Sequence, residues 1–313
     1  MDAQLESFYR ERNALLHTAT PLEIEKFFLG WQEKTEKNKN RTAWISVIHE
    51  LGLFYRSLGQ YDRSIRLLEQ AGKAILQQAG RNSLEYVSLL NNLAGTCREA
   101  GDKVYAIALL QEAIQIYQKQ KQIRLGVCAN LYSNLSQCCQ ENGEWERAAE
   151  NLEKSLEFLQ LSGRKAELGM GCHNLALLYR KMGEKEKMDQ YVEKALAQFD
   201  FCRDPGNPRI PLALNSLGGI LYQEGKYHRA AQVYDRAAQY IQREEGKNHA
   251  YAVNRQHEAW ALRGEGKLRE ACRALQEAEE ICEGLYGRKN ERVQAVLDEL
   301  QQLQHLLDRG QEG

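Results

Sequence analysis

The sequence predicts an all-α solenoid of stacked helical hairpins, and three observations carry that prediction. A leucine returns at a nearly constant step: Leu51, Leu93, Leu135, Leu175 and Leu217 lie 42, 42, 40 and 42 residues apart. Each stands eight residues before a glycine, respectively Gly59, Gly101, Gly143, Gly183 and Gly225. Small residues recur around these pairs, as Ala94, Ala106 and Ala113 do in the second repeat. A period of this size holds two helices and their turns, and such a unit cannot bury its own apolar face without a stacked neighbour. The expected product is an extended binding surface, not a compact catalytic core.

The front end is less regular. Leu5, Phe8, Tyr9, Leu15 and Leu16 space as one helix. Thr20-Pro21 reads as an N-cap with proline in the first turn of a second helix, continued by Leu22, Ile24, Phe27, Phe28 and Trp31. Stepping back 42 residues from Leu51 lands on Tyr9, so this pair reads as a cap or as an eroded repeat. The face carrying Phe27, Phe28 and Trp31 is expected to be buried, with an exposed docking patch as the alternative. Lys34 to Arg41 reads as a charged, Asn-rich connection.

The hairpins follow in register: Leu51, Gly59, Leu68, Ala71; Leu93, Gly101, Ala106, Leu110; Leu135, Gly143, Ala148, Leu152; Leu175, Gly183, Ala195; Leu217, Gly225, Ala230, Tyr234. A left-handed residue at each glycine satisfies the last carbonyls of the first helix. Tyr61, Trp145 and Tyr227 follow the turn glycine by two residues and are expected to pack the elbow. In the sixth repeat Gly266, Ala271, Leu275 and Ala278 fit, but Glu258 falls where leucine belongs unless the alignment slips by one. Asp204 to Pro211 holds three of the four prolines and reads as a loop, either spacer or hinge. Val293, Val296, Leu297, Leu300, Leu303 and Leu307 keep helical spacing and predict a final helix over Glu291 to Asp308. The expected division is a helical pair over 1–41, six hairpins over 42–283 and a capping helix with tail over 284–313.

Composition narrows the function. Forty-two Lys and Arg nearly cancel 43 Asp and Glu, so no long-range field draws the chain to nucleic acid or anionic lipid. No apolar run approaches the roughly 20 residues that span a bilayer. The acidic, polar start Met1-Asp2-Ala3-Gln4-Leu5-Glu6 lacks a signal peptide's apolar stretch, so a cytoplasmic location is expected. Of the eight cysteines none forms a C-x-x-C pair, and most fall at apolar helix positions as reduced core thiols. Cys138, Cys139, Cys172 and His173 suggest zinc, but adjacent helical residues point about 100° apart and do not readily share a tetrahedral ion. No metal or cofactor is expected. There is no G-x-S-x-G, Gly-rich phosphate loop or H-E-x-x-H, and the seven histidines are scattered, so a non-enzymatic protein is expected.

Asn91-Asn92-Leu93-Ala94, the Tyr179-Arg180 pair closing a first helix, and Gly246-Lys247-Asn248-His249 between repeats give these hairpins a style. They resemble the tetratricopeptide repeat (TPR) in a long-period form, similar to kinesin light chains and related bacterial TPR proteins. The resemblance covers residues 43–300 or so. It implies a right-handed α-solenoid, or superhelix, whose first helices line the concave surface.

On that surface two columns stand out. The residue before each leucine is Glu50, Asn92, Asn134, Asn174 and Ser216, and three successive asparagines would form a ladder. A carboxamide offers donors and an acceptor, so it can satisfy both sides of a peptide unit; similar ladders in other TPR proteins hold a peptide backbone. The alternative is that the asparagines tie one helix to the next. Asn91, His173 and Asn215 stand beside the ladder; His49 and His173 take asparagine's place in their repeats. Five residues after the leucine come Arg56, Arg98, Gln140, Arg180 and Tyr222, with Arg263 a sixth member if the alignment holds. The arginines would read acidic groups, or they are solvated helix ends favoured by the dipole; Glu99 and Glu141 beside them weaken any uniform charge.

The function expected is a protein-protein interaction adaptor, or scaffold, that binds a partner peptide segment in the concave groove. One alternative is a regulatory receptor that changes superhelix shape on binding a short signalling peptide, although such receptors usually carry a larger front domain. Another is a scaffold that self-associates through Phe27, Phe28 and Trp31; a monomer is otherwise expected, with no nucleic-acid or membrane partner.

Overall fold

The computed structural model describes residues 3–15, 18–200 and 207–311, and among them every regular element is helical. The chain divides into two compact units, Met1–Gly163 and Arg164–Gly313. In the first, α1 (Ala3–Leu15) and α2 (Pro21–Lys37) precede three hairpins. These are α3 (Arg41–Ser57) with α4 (Tyr61–Gln78), α5 (Leu84–Glu99) with α6 (Lys103–Gln118), and α7 (Leu125–Glu141) with α8 (Trp145–Leu161). In the second unit, α9 (Lys165–Met182) pairs with α10 (Lys185–Asp200), α11 (Arg209–Gln223) with α12 (Tyr227–Glu245), and α13 (His249–Gly264) with α14 (Leu268–Tyr286). α15 (Glu291–Gln311) packs on α14, three residues longer than the spacing predicts.

Each hairpin is built on the leucine and glycine of the repeat. Leu51, Leu93, Leu135, Leu175 and Leu217 are all buried, beside fully buried alanines such as Ala71, Ala113, Ala148, Ala195 and Ala237. The alanines let the two helices of a hairpin approach, and the leucine fills the gap they leave. At the elbows Gly59, Gly101, Gly143, Gly183, Gly225 and Gly266 hold φ between +71° and +96°. The next residue then donates its backbone N–H to a carbonyl five residues back, as in Gln60 to Tyr55, Asp102 to Cys97 and Lys226 to Leu221, each at 2.9 Å. This is the Schellman closure, which satisfies carbonyls the helix end would otherwise orphan.

In the sixth repeat it is Ala259, fully buried and 42 residues after Leu217, that takes the leucine's place. The alignment slips by one: Glu258 joins the ladder column, and Gly264, not Arg263, falls in the arginine column.

The front pair packs on the first hairpin. Thr20 accepts from the backbone of Glu23, whose carboxylate accepts from Thr20 N at 2.8 Å, and proline opens the helix. Such a reciprocal box satisfies two orphan donors at once. Phe8, Ile24, Phe28 and Trp31 then pack on Val47, Leu51 and Tyr55 of α3. Phe28 and Trp31 are buried and Phe27 packs half-buried on the same cluster, so these side chains belong to the core of the first unit. Leu22, by contrast, is 60% exposed and lies off the face. The expected connection from Lys34 shortens to Asn38-Lys39-Asn40, because α2 continues to Lys37. Leu16 lies outside the described residues.

The proline-rich segment also departs from expectation. Asp204, Pro205 and Gly206 lie outside the described residues, as does Cys202. Pro208 is the N-cap of α11, and Arg209-Ile210-Pro211 form its first turn, with Ile210 and Pro211 buried. Proline is admitted there because a first-turn N–H has no intrahelical partner to lose. The seven described cysteines are free and buried, Cys138 and Cys139 included. Desolvation pushes the thiols of Cys97, Cys138 and Cys172 up to about 11, so they behave as core apolar groups. No described helix is long and apolar enough to cross a membrane.

Close packing gives a direct test at two adjacent glycines of α11. A methyl group on Gly218 would lie 2.7–2.9 Å from three ring atoms of buried Tyr234, whereas one on Gly219 would meet only the Tyr234 hydroxyl at 3.6 Å. Gly218→Ala should therefore destabilise the protein by about 1–3 kcal/mol through overpacking. Gly219→Ala should be neutral or stabilising by up to about 1 kcal/mol through helix propensity. Urea unfolding of the two variants distinguishes these outcomes.

Candidate peptide-binding face

The polar side chains of the first helices meet one repeat apart. Two residues before each leucine stand His49, Asn91, Ser133, His173, Asn215 and, in the slipped register, His257. In the first unit Asn92 Nδ2 lies 3.0 Å from His49 Nε2, and Asn134 Nδ2 donates to Asn91 Oδ1 at 2.8 Å. Both bonds join a residue of one repeat to a residue 43 positions on in the next. In the second unit Asn215 Nδ2 reaches Asn254 Oδ1 at 2.8 Å and His257 Nδ1 at 3.1 Å. Asn174 is exposed and hydrogen-bonds its neighbour His173. Asn91, Asn92, Asn134, His173 and Asn215 are half-buried. Asn91, Asn92, Asn134 and Asn215 thus serve as ties between repeats, and each tied carboxamide keeps hydrogen-bonding capacity on its other atoms.

The arginine column is tied by the same step. Arg56 forks onto Glu99, Nε to Oε2 at 2.8 Å and Nη2 to Oε1 at 2.5 Å. Arg98 Nη1 donates to Glu141 Oε1 at 2.6 Å, and Arg180 donates to Gln223 Oε1. Gly95 lies under the Arg56 guanidinium, where a Cβ would come within 2.6 Å. A carboxylate one place beyond the arginine column neutralises Arg56 and Arg98; among the described residues Arg180 is paired with a neutral amide and no carboxylate. Glu99 and Glu141 stand beside the strip in the sequence, but their partner one repeat away is a product of the stacking.

The ends of the ladder column are acidic, and each end is held by an arginine. Glu50 Oε2 pairs with Arg12 Nη1 of α1 at 2.7 Å, and Glu258 Oε2 with Arg255 Nη1 at 2.5 Å. Arg255 Nη1 also meets Asp235 at 3.0 Å, and its Nε lies 2.9 Å from Glu277 Oε2 without directing its N–H there. Desolvation raises Glu258 to about 7; Arg255 opposes the shift, while Asp235, Glu277 and Glu270 add to it. This cluster was not legible, because Glu258 reads as a register error until Ala259 is seen in the leucine's place.

A cavity of about 310 Å³ opens in the first unit between α5 and α7. Leu84, Val87, Tyr117, Val127 and Leu131 give it apolar walls, and Ser88, Asn91, Arg124 and Asn130 a polar rim. The Tyr117 hydroxyl accepts from the backbone N–H of Arg124 at 2.9 Å, fixing the turn that carries the guanidinium. Ser88, Arg124 and Asn130 are exposed, and their side chains make no hydrogen bond or ion pair among the described residues. Ser88 and Asn130 stand four residues before Asn92 and Asn134, one turn along the same face. Extending the ladder column by one turn in the sequence would have found them.

Two titrations follow from this face. Burial holds His49 below the ordinary histidine range, with Glu50 opposing, so the ring is neutral at pH 7 and can accept from Asn92. A depressed folded pKa gives stability that is present above the unfolded value of about 6.5 and is lost as pH falls through the folded pKa. His49→Asn, the residue used at this place in other repeats, should flatten the loss of melting temperature between pH 7 and pH 5. Glu258 is raised, so its effect has the opposite sign: the fold favours the neutral form, and stability is lost as pH rises from about 4.5 through about 7. Glu258→Gln should gain stability at pH 8 and show no gain at pH 4, by thermal unfolding at the two values.

The sequence pattern of the tetratricopeptide repeat matches residues 42–119 and again 174–244. Photosystem I assembly protein Ycf3 of Rippkaea orientalis is 27% identical over 99 residues, 29% of this chain and 53% of that protein. The chain therefore spans about half the length of the curated relative it matches. Among solved structures, Aspartyl phosphate phosphatase F from Bacillus subtilis aligns with a TM-score of 0.62 at 15% identity, covering 97% of this chain and 84% of that one. BtubC (BKLC) from P. vanneervenii aligns with a TM-score of 0.56 at 20% identity, covering 74% and 92%. At these identities both are likenesses of fold. The recurrent elbow, the buried leucines and the two matched stretches agree: residues 42–119 and 174–244 are built of tetratricopeptide repeats.

Proposed function

We propose that this protein is a non-enzymatic adaptor that binds a peptide segment of a partner protein on the first-helix face of its first unit. The observation that supports this most is the cavity between α5 and α7. Its walls are apolar, and its rim holds Ser88, Arg124 and Asn130, whose side chains make no hydrogen bond or ion pair among the described residues. Its volume lies at the small end of the range for ligand sites. It suits one large apolar side chain, and the rim amides and hydroxyl suit the peptide groups on either side. Arg124 would take a carboxylate near that side chain, since a guanidinium fork matches that group.

In this reading the ladder changes its role. Asn92 and Asn134 hold the repeats in the register that forms the cavity, and Asn91 serves both tie and rim. Arg56 and Arg98, paired with glutamates, order the wall, while Arg180 and Asn174 of the second unit remain open for contact. Apolar burial in the pocket would supply affinity, and the polar rim would set the register of the segment.

The test is selection from a displayed random peptide library on the wild type and on a Leu84→Lys, Asn130→Arg variant that leaves every ladder bond in place. Peptides enriched on the wild type should share an apolar residue beside an acidic one and should bind the variant at least about tenfold more weakly, a loss expected for blocking an anchor. Equal enrichment on both proteins would remove the cavity from recognition. Circular dichroism of the variant ensures that the comparison is between folded proteins.

A further inference from the structure

The turn between α2 and α3 copies the hairpin elbow with one change. Asn40 donates its N–H to the Thr35 carbonyl at 3.0 Å, the same five-residue closure, and the left-handed residue before it is Lys39, with φ +53°. Every other left-handed position among the described residues is a glycine, ten in all. A side chain is strained in that conformation and glycine is not. Lysine here gives up backbone ease, and strain of this kind persists at functional positions where the surrounding structure holds it.

Lys39 opens onto a basin of about 510 Å³ in the first unit, together with Arg41, Lys73, Trp44 and Glu36. Neither Lys39 nor Lys73 makes an ion pair among the described residues. Arg41 donates to Gln77 Oε1 through one nitrogen, which leaves further donors on its fork. Glu36 is the one carboxylate among the lining residues, and its Oε1 is taken by Trp44 Nε1 at 2.9 Å. Arg41 is also the first residue of α3, whose first turn holds no acid, so the positive end of that helix adds to the field. Arg12, Arg56, Arg81 and Arg98 of the same unit are each matched to a carboxylate. Here three cations surround one occupied acid.

We propose that this basin binds a dianionic phosphoryl group, with Lys39 and Lys73 as point charges and Arg41 as the directional donor. Lysine and arginine lining one basin suit phosphate, whose oxygens accept from several donors at once. The group belongs either to a small phosphate ester or to a phosphorylated side chain of a partner, and the basin's chemistry is the same for both. The site stands apart from the peptide cavity and does not depend on it.

Lys39→Gly separates the proposal from a stability effect, because it removes the charge and the strain together. The experiment measures thermal unfolding and calorimetric binding of inorganic phosphate and of a phosphoserine peptide, with sodium chloride holding ionic strength constant. Wild type should be stabilised by both phosphate probes and not by chloride. Ligand-free Lys39→Gly should melt a few degrees higher than wild type, yet bind the phosphate probes about tenfold more weakly, the loss expected for one charged hydrogen-bonding contact. Lys73→Gln should lose affinity without the gain in melting temperature. Tighter binding of the peptide would assign the phosphoryl group to a partner protein, and tighter or equal binding of free phosphate to a small molecule. Unchanged affinity in both variants, or stabilisation by chloride equal to that by phosphate, would overturn the proposal.

Discussion

A hairpin of two short helices cannot bury both of its apolar faces, and the remaining organisation follows from that constraint. Each leucine must lie under a neighbouring helix, so the step between repeats is fixed by the spacing of the leucines. Once that apolar register is set, side chains on the first helices of successive hairpins meet at fixed offsets. His49 with Asn92, Asn91 with Asn134, Arg56 with Glu99 and Arg98 with Glu141 are all 43 residues apart, one more than the leucine step. The offset of one arises because a residue two before a leucine meets the residue one before the next. Polar bonding in each unit is thus a consequence of apolar stacking, which it then sharpens by making a shifted register costly in unpaired groups.

The ties also account for how charge is used. A chain with almost equal numbers of cations and anions could have scattered them over its surface, where pairs are worth little. Here several pairs lie between repeats with both partners largely covered, such as Arg56 and Glu99 with 26% and 30% of their side-chain surface exposed. Such pairs hold their geometry better than free surface charges do, since neighbouring side chains restrict them before the pair forms. They also cancel local fields. Uncancelled places beside a cavity or a neutral partner therefore carry more information than net charge does, as at Arg124 on the cavity rim, Arg180 opposite a neutral amide, and the three cations around Trp44.

Much of the fold was legible because it repeats. One leucine and one glycine mean little, but five pairs in register define elbows, helix lengths and the buried face. Legibility failed where the repeat was broken. Glu258 looked like a misplaced leucine because fully buried Ala259 takes the leucine's place, and a pattern keyed to size does not show that. Pro211 looked like a loop residue because composition does not reveal that a proline stands in a first turn. The face was legible as columns, but not its bonding: sequence shows that Asn91 and Asn134 share a face, while only the stacking shows that they bond to each other. Lys39 left no signal at all, since its backbone conformation stands out only beside the ten glycines that share its positive φ among the described residues.

These points bear on how an interaction surface can be built from ties. A carboxamide satisfied on one side still presents donors or an acceptor on the other, so bonding between repeats and bonding to a ligand need not compete. What the ties supply is rigidity, and a rigid rim loses less conformational freedom when a segment binds. A ladder of free asparagines would have to be ordered by each ligand anew, whereas Asn91, held by Asn134 at the edge of the cavity, is ordered before any ligand arrives. The same reasoning explains why the rim's open groups lie one turn away from the ladder. Ser88 and Asn130 stand on helices already fixed by Asn92 and Asn134, so their positions are set while their hydrogen-bonding groups stay available. In the proposed reading, a repeat protein of this kind would gain a binding surface by leaving selected positions unpaired next to paired ones.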